Sequence, residues 1–102
     1  MKNLIMIVHT NAQQDLADRL RSLEQVQGFT FTHVEGHGAH VEQDPFLSAR
    51  DKVVGYTPRV RVDVLLKDAD VEKVLDALRA TGKGGAGQGI YWVATVEKSG
   101  RL

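Results

Sequence analysis

The two halves of this chain repeat one order of elements: a strand-like run, an amphipathic helix and a second strand-like run. In the first half, residues 4–8 are continuously apolar, as in a buried central strand. Leu16, Leu20 and Leu23 then recur at helical spacing, and residues 29–34 alternate between two faces. This half therefore predicts a strand, a helix and a strand in turn.

The second half has the same organisation. A run with three alternating valines comes first and indicates a strand with one packed face. A helix is expected from Asp68 or Asp70 to Gly82, and residues 90–96 are rich in the β-branched and aromatic residues of strands. The order βαββαβ predicts a single α+β domain over residues 1–102. We expect a ferredoxin-like fold, with a four-stranded antiparallel sheet and both helices on one face.

Such a fold leaves the second face of the sheet without helices. Six apolar side chains are available to cover it: Phe31, Val60, Val62, Val64, Tyr91 and Trp92. A chain of 102 residues is too small to cover this face by itself. We therefore expect self-association through it.

Composition excludes several classes of protein. Thirteen basic and thirteen acidic residues give a formal net charge of zero, whereas a nonspecific nucleic-acid binder needs a basic face. The sequence has no apolar run long enough for a membrane span and no signal-peptide pattern, so a cytoplasmic location without membrane insertion is expected. It has no cysteine, which removes disulfides and thiolate metal sites.

A long polar segment lies between the two halves. It runs from Gly36 to Gly55, and at about 20 residues it is long for a loop in so small a domain. Loops of this length are usually functional or mobile. We expect residues 39–55 to be the signalling element.

Three of the four histidines lie in or beside the first of two glycine-rich stretches, residues 35–40. On an extended strand His33, Glu35 and His37 point to one side, and a turn at Gly38 would bring His40 close to them. Imidazole and carboxylate suit Zn²⁺, Cu²⁺ or Ni²⁺, so these four residues are a candidate site for a divalent transition metal. The alternative is that the histidines are incidental polar residues at a strand end.

A second glycine-rich stretch, residues 82–89, precedes the last strand. It lacks the Lys-Ser/Thr of a P-loop and does not open a helix, so neither the Walker nor the Rossmann pattern applies. It is either a flexible connector or a backbone cradle for phosphate, with basic residues after the last strand adding charge. The candidate nucleotide-binding residues are Gly36, Gly38, Gly85, Gly87, Gln88, Gly89, Lys98 and Arg101.

Catalysis has little support in the sequence. There is no nucleophile motif, and nothing in the sequence sets the geometry of an acid–base pair. We therefore expect a protein that is not an enzyme. A small ferredoxin-like enzyme that uses His37 or His40 for acid–base catalysis is the lowest-ranked alternative.

The order of these segments across nearly all 102 residues resembles the PII signal-transduction superfamily. Residues 28–38 are similar to the second strand of that family and its Gly-x-Gly exit, and residues 39–55 have the place and length of its T-loop. Residues 56–60 resemble its aromatic-x-Pro-Lys-Val segment, and residues 81–87 resemble its nucleotide loop. Arg101 matches a phosphate-binding arginine after the last strand.

The resemblance implies a homotrimeric, non-catalytic regulator. Its ligands would bind in clefts between subunits, and its T-loop would dock on a transporter, channel, enzyme or regulator. The histidines and the ending from Tyr91 to Leu102 are more similar to the divergent PII-like group associated with heavy-metal efflux systems. We therefore expect a sensor of a divalent transition metal that controls a membrane transporter or efflux component. The alternative is a sensor of an adenine nucleotide (ATP, ADP or AMP).

Overall fold

Two helices and a four-stranded sheet make up the part of the chain that the structure, a computed structural model, describes: residues 1–38, 55–80 and 89–102. The strands are β1 (Lys2–His9), β2 (Thr30–Gly36), β3 (Thr57–Leu66) and β4 (Ile90–Thr95). The helices are α1 (Gln13–Ser22) and α2 (Val71–Ala80), preceded by 3₁₀ turns at Thr10–Ala12 and Asp68–Asp70. The chain order is the expected βαββαβ. The expected helix end at Gly82 lies outside the described residues.

The strands form one antiparallel sheet in the order β2-β3-β1-β4. β1 and β3 are the central strands, which explains why residues 4–8 are continuously apolar. β2 and β4 lie at the two edges of the sheet. The α+β ferredoxin-like prediction is confirmed, whereas the expected trimer stays a prediction.

Both helices pack on one face of the sheet and enclose the core. Leu16 and Leu20 from α1 and Val74 from α2 are completely buried. They cluster with side chains of the central strands such as Leu4 and Val62, which are buried to the same degree. This arrangement places the core between the helices and the middle of the sheet, and leaves β4 outside it.

The expectation that Val60, Val62 and Val64 cover the second face of the sheet is wrong. All three are completely buried in the core that the helices cover. Phe31 and Tyr91 also lie on the face that the helices cover. Phe31 is the register partner of Val62, and Tyr91 is that of Met6. Period-two alternation identifies a packed face, but it does not say which side of the sheet that face is on.

The second face, called here the open face, combines apolar and charged residues. Register places Ile5 beside Trp92, and Ile7 beside Ile90. Trp92 is 43% exposed and Ile90 is 62% exposed. The same face carries a polar network. Arg61 and Asp63 form an ion pair at 3.0 Å, and Asn3 donates a 3.1 Å hydrogen bond to the Asp63 carboxylate.

Candidate functional site

The two ends of the long loop are held together where β2 ends and β3 begins. Gly36 and Thr57 are register partners, and the Thr57 hydroxyl donates to the Gly36 carbonyl at 3.4 Å. One step further out, His37 Nδ1 lies 2.6 Å from the Gly55 carbonyl oxygen. These contacts, called here the loop base, flank residues 39–54 in the sequence. Those sixteen residues lie outside the described part of the chain.

The contact between His37 and Gly55 determines the tautomer of the imidazole. A carbonyl oxygen can only accept a hydrogen bond, so Nδ1 of His37 must carry the proton and donate it. In the neutral ring the lone pair is then on Nε2. A histidine that donates one ring N–H to a backbone carbonyl is oriented to ligate a metal through the other nitrogen.

Gly55 provides the backbone conformation that this contact needs. Its φ of +82° is in the left-handed region that glycine adopts without steric cost. A Cβ at this position would lie 3.6 Å from His37 Nδ1, which is an ordinary contact distance. The requirement for glycine therefore comes from the backbone angle and not from lack of space.

The predicted metal ligands are brought together only in part. His33 and Glu35 are register partners of Val60 and Pro58, so they share one face of β2, as the alternation predicted, and both are exposed. His37 follows the end of the strand, and His40 lies outside the described residues. Within residues 1–38, 55–80 and 89–102, no group of three or more His, Cys, Asp or Glu is arranged to hold a metal ion. The four-residue site stays a prediction.

The predicted nucleotide-binding residues fall at opposite ends of the sheet. Gly36 and Gly38 lie at the end where β1 stops, and so does Gly89, because Ile90 pairs with Ile7. Lys98 and Arg101 follow β4 at the end where β1 starts, because Thr95 pairs with Lys2. A strand rises about 3.3 Å per residue, so the length of β4 alone separates Gly89 from the tail by about 20 Å. Gly85, Gly87 and Gln88 lie outside the described residues.

Arg101 lines an open cleft beside the start of β1. The cleft has a volume of about 760 Å³ and is also lined by Asn3, Gly28, Asp63 and Lys67. The Arg61 guanidinium, hydrogen-bonded to Asp63, holds the pKa of that carboxyl below its usual range, and Asn3 adds to this effect. Asp63 is therefore an anion at neutral pH, and the cleft offers groups of both charge signs.

Sequence reasoning did not find the pairing of His37 with Gly55 or the clustering of Asn3 and Asp63 with Arg101. The first was missed because the two residues are separated by a long polar segment without a pairing pattern. The sequence did contain a weak signal: Gly55 stands directly before the aromatic-x-Pro segment, and a glycine at such a position indicates a positive φ. The second depends on which strands are neighbours, and the order of residues along the chain does not state this.

The described helices have ten residues each, and neither is long and apolar enough to cross a membrane.

Comparison with known families accounts for the whole chain. One family model, described as "Protein of unknown function (DUF3240)", matches residues 1–102. The chain belongs to the DUF3240 family. Its curated relatives connect this family to the PII superfamily and support the resemblance drawn from the sequence.

Two similar relatives carry the name "Nitrogen regulatory protein P-II". The protein from Rhizobium meliloti (strain 1021) is 29% identical over 103 residues, which cover 100% of this chain and 91% of that protein. The protein from Rhizobium leguminosarum bv. viciae is 34% identical over 88 residues, which cover 83% of this chain and 79% of that protein. The nitrogen regulatory protein GlnK of Escherichia coli (strain K12) is 27% identical over 103 residues, with coverage of 100% and 91%. The DUF3240 chain is thus a divergent PII-like protein.

A solved structure supports the fold. The crystal structure of a DUF3240 family protein from Shewanella baltica OS155 superposes with a TM-score of 0.76. The match covers 99% of this chain and 94% of that chain, at 21% sequence identity. At this identity the likeness bears on the fold alone.

Proposed function

We propose that this DUF3240 protein is a cytoplasmic, non-catalytic regulator that binds an adenine nucleotide between copies of itself. It passes the signal through residues 39–55 to a partner protein, such as a membrane transporter or a component of an efflux system. The observation that carries this proposal is the similarity over the full chain to nitrogen regulatory P-II proteins. Catalysis is left out, because the relatives bear regulatory names and the sequence has no nucleophile motif.

The open face supports assembly into a homotrimer. Trp92 and Ile90 leave apolar surface next to the apolar residues Ile5 and Ile7 in the register of the sheet. Burying apolar surface stabilises by about 25 cal/mol per Å², so a few such side chains per copy contribute several kcal/mol. The Arg61–Asp63 pair at the centre of the face would then be enclosed with its Asn3 hydrogen bond already made.

The separation of the candidate nucleotide residues favours a site shared between copies. Gly89 and Arg101 lie at opposite ends of the sheet within one copy, so they meet around a single phosphate chain only if a second copy supplies one of them. Backbone N–H groups of the glycine loop would then hold phosphate, and the Arg101 guanidinium would donate two parallel hydrogen bonds to it. This arrangement would make assembly a condition for binding.

Calorimetry with ATP, ADP and AMP tests the nucleotide proposal. We expect Arg101→Ala to weaken binding of the tightest nucleotide by about tenfold or more, because charged hydrogen bonds are about twice as strong as neutral ones. Arg21→Ala is the matched control: its guanidinium is on α1 and pairs with Asp18 at 3.0 Å. Failure of all three nucleotides to bind the wild-type protein at about 1 mM would refute the proposal.

A second variant separates assembly from ligand contact. Trp92→Glu places a charge on the open face, and we expect it to shift the protein to smaller species in sedimentation velocity. Nucleotide affinity should fall with it, although Gly89 and Arg101 are unchanged. A monomeric variant that binds nucleotide as tightly as the wild type would contradict the shared site.

A divalent transition metal is the second candidate ligand, and the orientation of His37 favours it. The hydrogen bond to Gly55 leaves Nε2 of His37 as the ring nitrogen with the lone pair. His33, Glu35 and His40 would complete the proposed set. Titration of Zn²⁺, Cu²⁺ and Ni²⁺ against wild type, His37→Ala and His40→Ala tests it. Equal metal affinity in the three proteins would exclude this site.

A further inference from the structure

A small cavity lies between the helices and edge strand β4. Its volume is about 160 Å³. Its apolar wall comes from β1 and both helices, and includes Met6, Leu16 and Leu75, which are at most 6% exposed. Arg79 at the end of α2 and Tyr91 on β4 line it as well. Gly89, a proposed nucleotide-binding residue, also lines the cavity, whereas none of its lining residues belongs to the loop base or to the cleft beside Arg101.

The position of the helices explains why this space exists. α1 and α2 pack over the central strands, so neither of the two described helices lies directly over β4. Tyr91 is 47% exposed and Val93 is 40% exposed, although both lie on the helix-covered side of the sheet. The cavity is therefore an apolar recess with one side open to solvent, and it is smaller than the sites that take drug-sized molecules.

Arg79 and Tyr91 form an organised polar group beside this recess. Arg79 Nη2 donates to the Tyr91 hydroxyl at 2.7 Å, and the guanidinium lies 5.2 Å from the centre of the Tyr91 ring. Asp76 lies on the same helix, with a carboxylate oxygen 3.9 Å from Arg79 Nη1, too far for a hydrogen bond. A guanidinium has five N–H donors, so donors remain for a ligand while Tyr91 keeps the side chain in place.

We propose that this cavity binds a small aromatic carboxylate. An apolar cavity of about 150 Å³ is large enough to take up benzene, which sets the size of the ligand body. A planar ring suits the neighbouring Tyr91 ring, because offset and edge-to-face contacts favour aromatic pairs. A carboxylate matches the fork of the Arg79 guanidinium, which binds it through two parallel hydrogen bonds. The inference does not depend on the proposed nucleotide or metal site.

Benzoate is the probe, and benzyl alcohol is the neutral probe of similar shape. In ¹H–¹⁵N correlation spectra of the full chain we expect benzoate to shift the amides of Arg79, Ile90 and Tyr91. For a ligand of nine heavy atoms a Kd of about 1 mM is expected. Arg79→Gln should weaken benzoate about tenfold, while the affinity for benzyl alcohol changes less than about twofold. Arg21→Gln is the control and should leave both affinities unchanged.

A filling variant tests the cavity itself. Leu78 lines the cavity and is only partly buried, so Leu78→Trp adds volume at a tolerant position. It should abolish binding of both probes, and an unchanged spectrum away from the cavity will establish that the variant is folded. The proposal is overturned if benzoate causes no shifts at about 10 mM, or if it binds Arg79→Gln and Leu78→Trp as tightly as wild type.

Discussion

Replacing Gly55 by alanine tests the account of the loop base. The φ of +82° at this position is disfavoured for residues with a Cβ by about 1–2 kcal/mol. The new Cβ would be 3.6 Å from His37 Nδ1, so no clash adds to that cost. Alanine also restricts the unfolded chain, which offsets about 0.4–1 kcal/mol. We therefore expect a net loss of about 1 kcal/mol in the free energy of unfolding.

Urea unfolding at fixed protein concentration measures this loss. Gly28→Ala is the matched control, because Gly28 does not have a positive φ and a Cβ there meets nothing within 4 Å. That variant should be neutral or more stable, by up to about 1 kcal/mol. In thermal unfolding, 1 kcal/mol corresponds to a shift of about 4–8 °C for a domain of this size. If the two alanine variants have the same stability, the left-handed conformation of Gly55 is not what positions the loop base.

Three further predictions concern His37, the core and the open face. His37→Ala should cost about 0.5–1.5 kcal/mol of unfolding free energy, which is the range for one hydrogen bond. In a Gly55→Ala background the same substitution should cost less, because strain at residue 55 already weakens the contact. Leu20→Ala should cost about 2–5 kcal/mol in urea unfolding, because Leu20 is completely buried between α1 and the sheet. Arg61 lowers the pKa of Asp63 in the folded state. The resulting stabilisation is present above the unfolded pKa of about 3.9 and is lost as pH falls toward the folded value. Asp63→Asn should therefore flatten the dependence of the urea midpoint on pH below about 5, and an unchanged profile would contradict this.

Much of the fold could be predicted because periodicity reports directly on local structure. The continuous apolar run in the first strand identified a central strand, and the leucine stripe that includes Leu16 identified α1. Boundaries were less accurate. Thr10 and Asn11 are residues of the kind that often cap helices, yet they lie in a 3₁₀ turn, and α1 begins at Gln13. A cap and a 3₁₀ turn use the same small polar residues, so the sequence alone does not distinguish them.

The faces of the sheet could not be predicted from alternation alone. Val62 and Trp92 both looked suitable for the second face, yet they lie on opposite sides of the sheet. Their sides depend on pairing with β1, since Val62 is the partner of Met6 and Trp92 that of Ile5. Register between distant strands is a long-range property, and a shift of one residue exchanges the two faces. For the same reason the sequence could not place Arg101 in a cleft with Asp63.

Strand β4 takes part in both the assembly proposal and the small-molecule proposal, because apolar side chains are exposed on both of its sides. Ile90 and Trp92 leave apolar surface on the open face, while Tyr91 and Val93 leave it on the side of the helices. An apolar edge strand exposed on both sides is prone to uncontrolled pairing, and proteins protect such edges. On the open face the apolar surface of Ile90 and Trp92 adjoins the half-buried Ile7, so a broad surface such as a second copy fits it. On the side of the helices, the recess beside Arg79 interrupts the exposed surface of β4. A small molecule fits this recess better than a protein surface does. In these two proposals assembly uses the open side of β4 and the small ligand binds on the side of the helices. Ile90 lines the recess as well, so Trp92 and Arg79 are the residues that separate the two proposals by mutation.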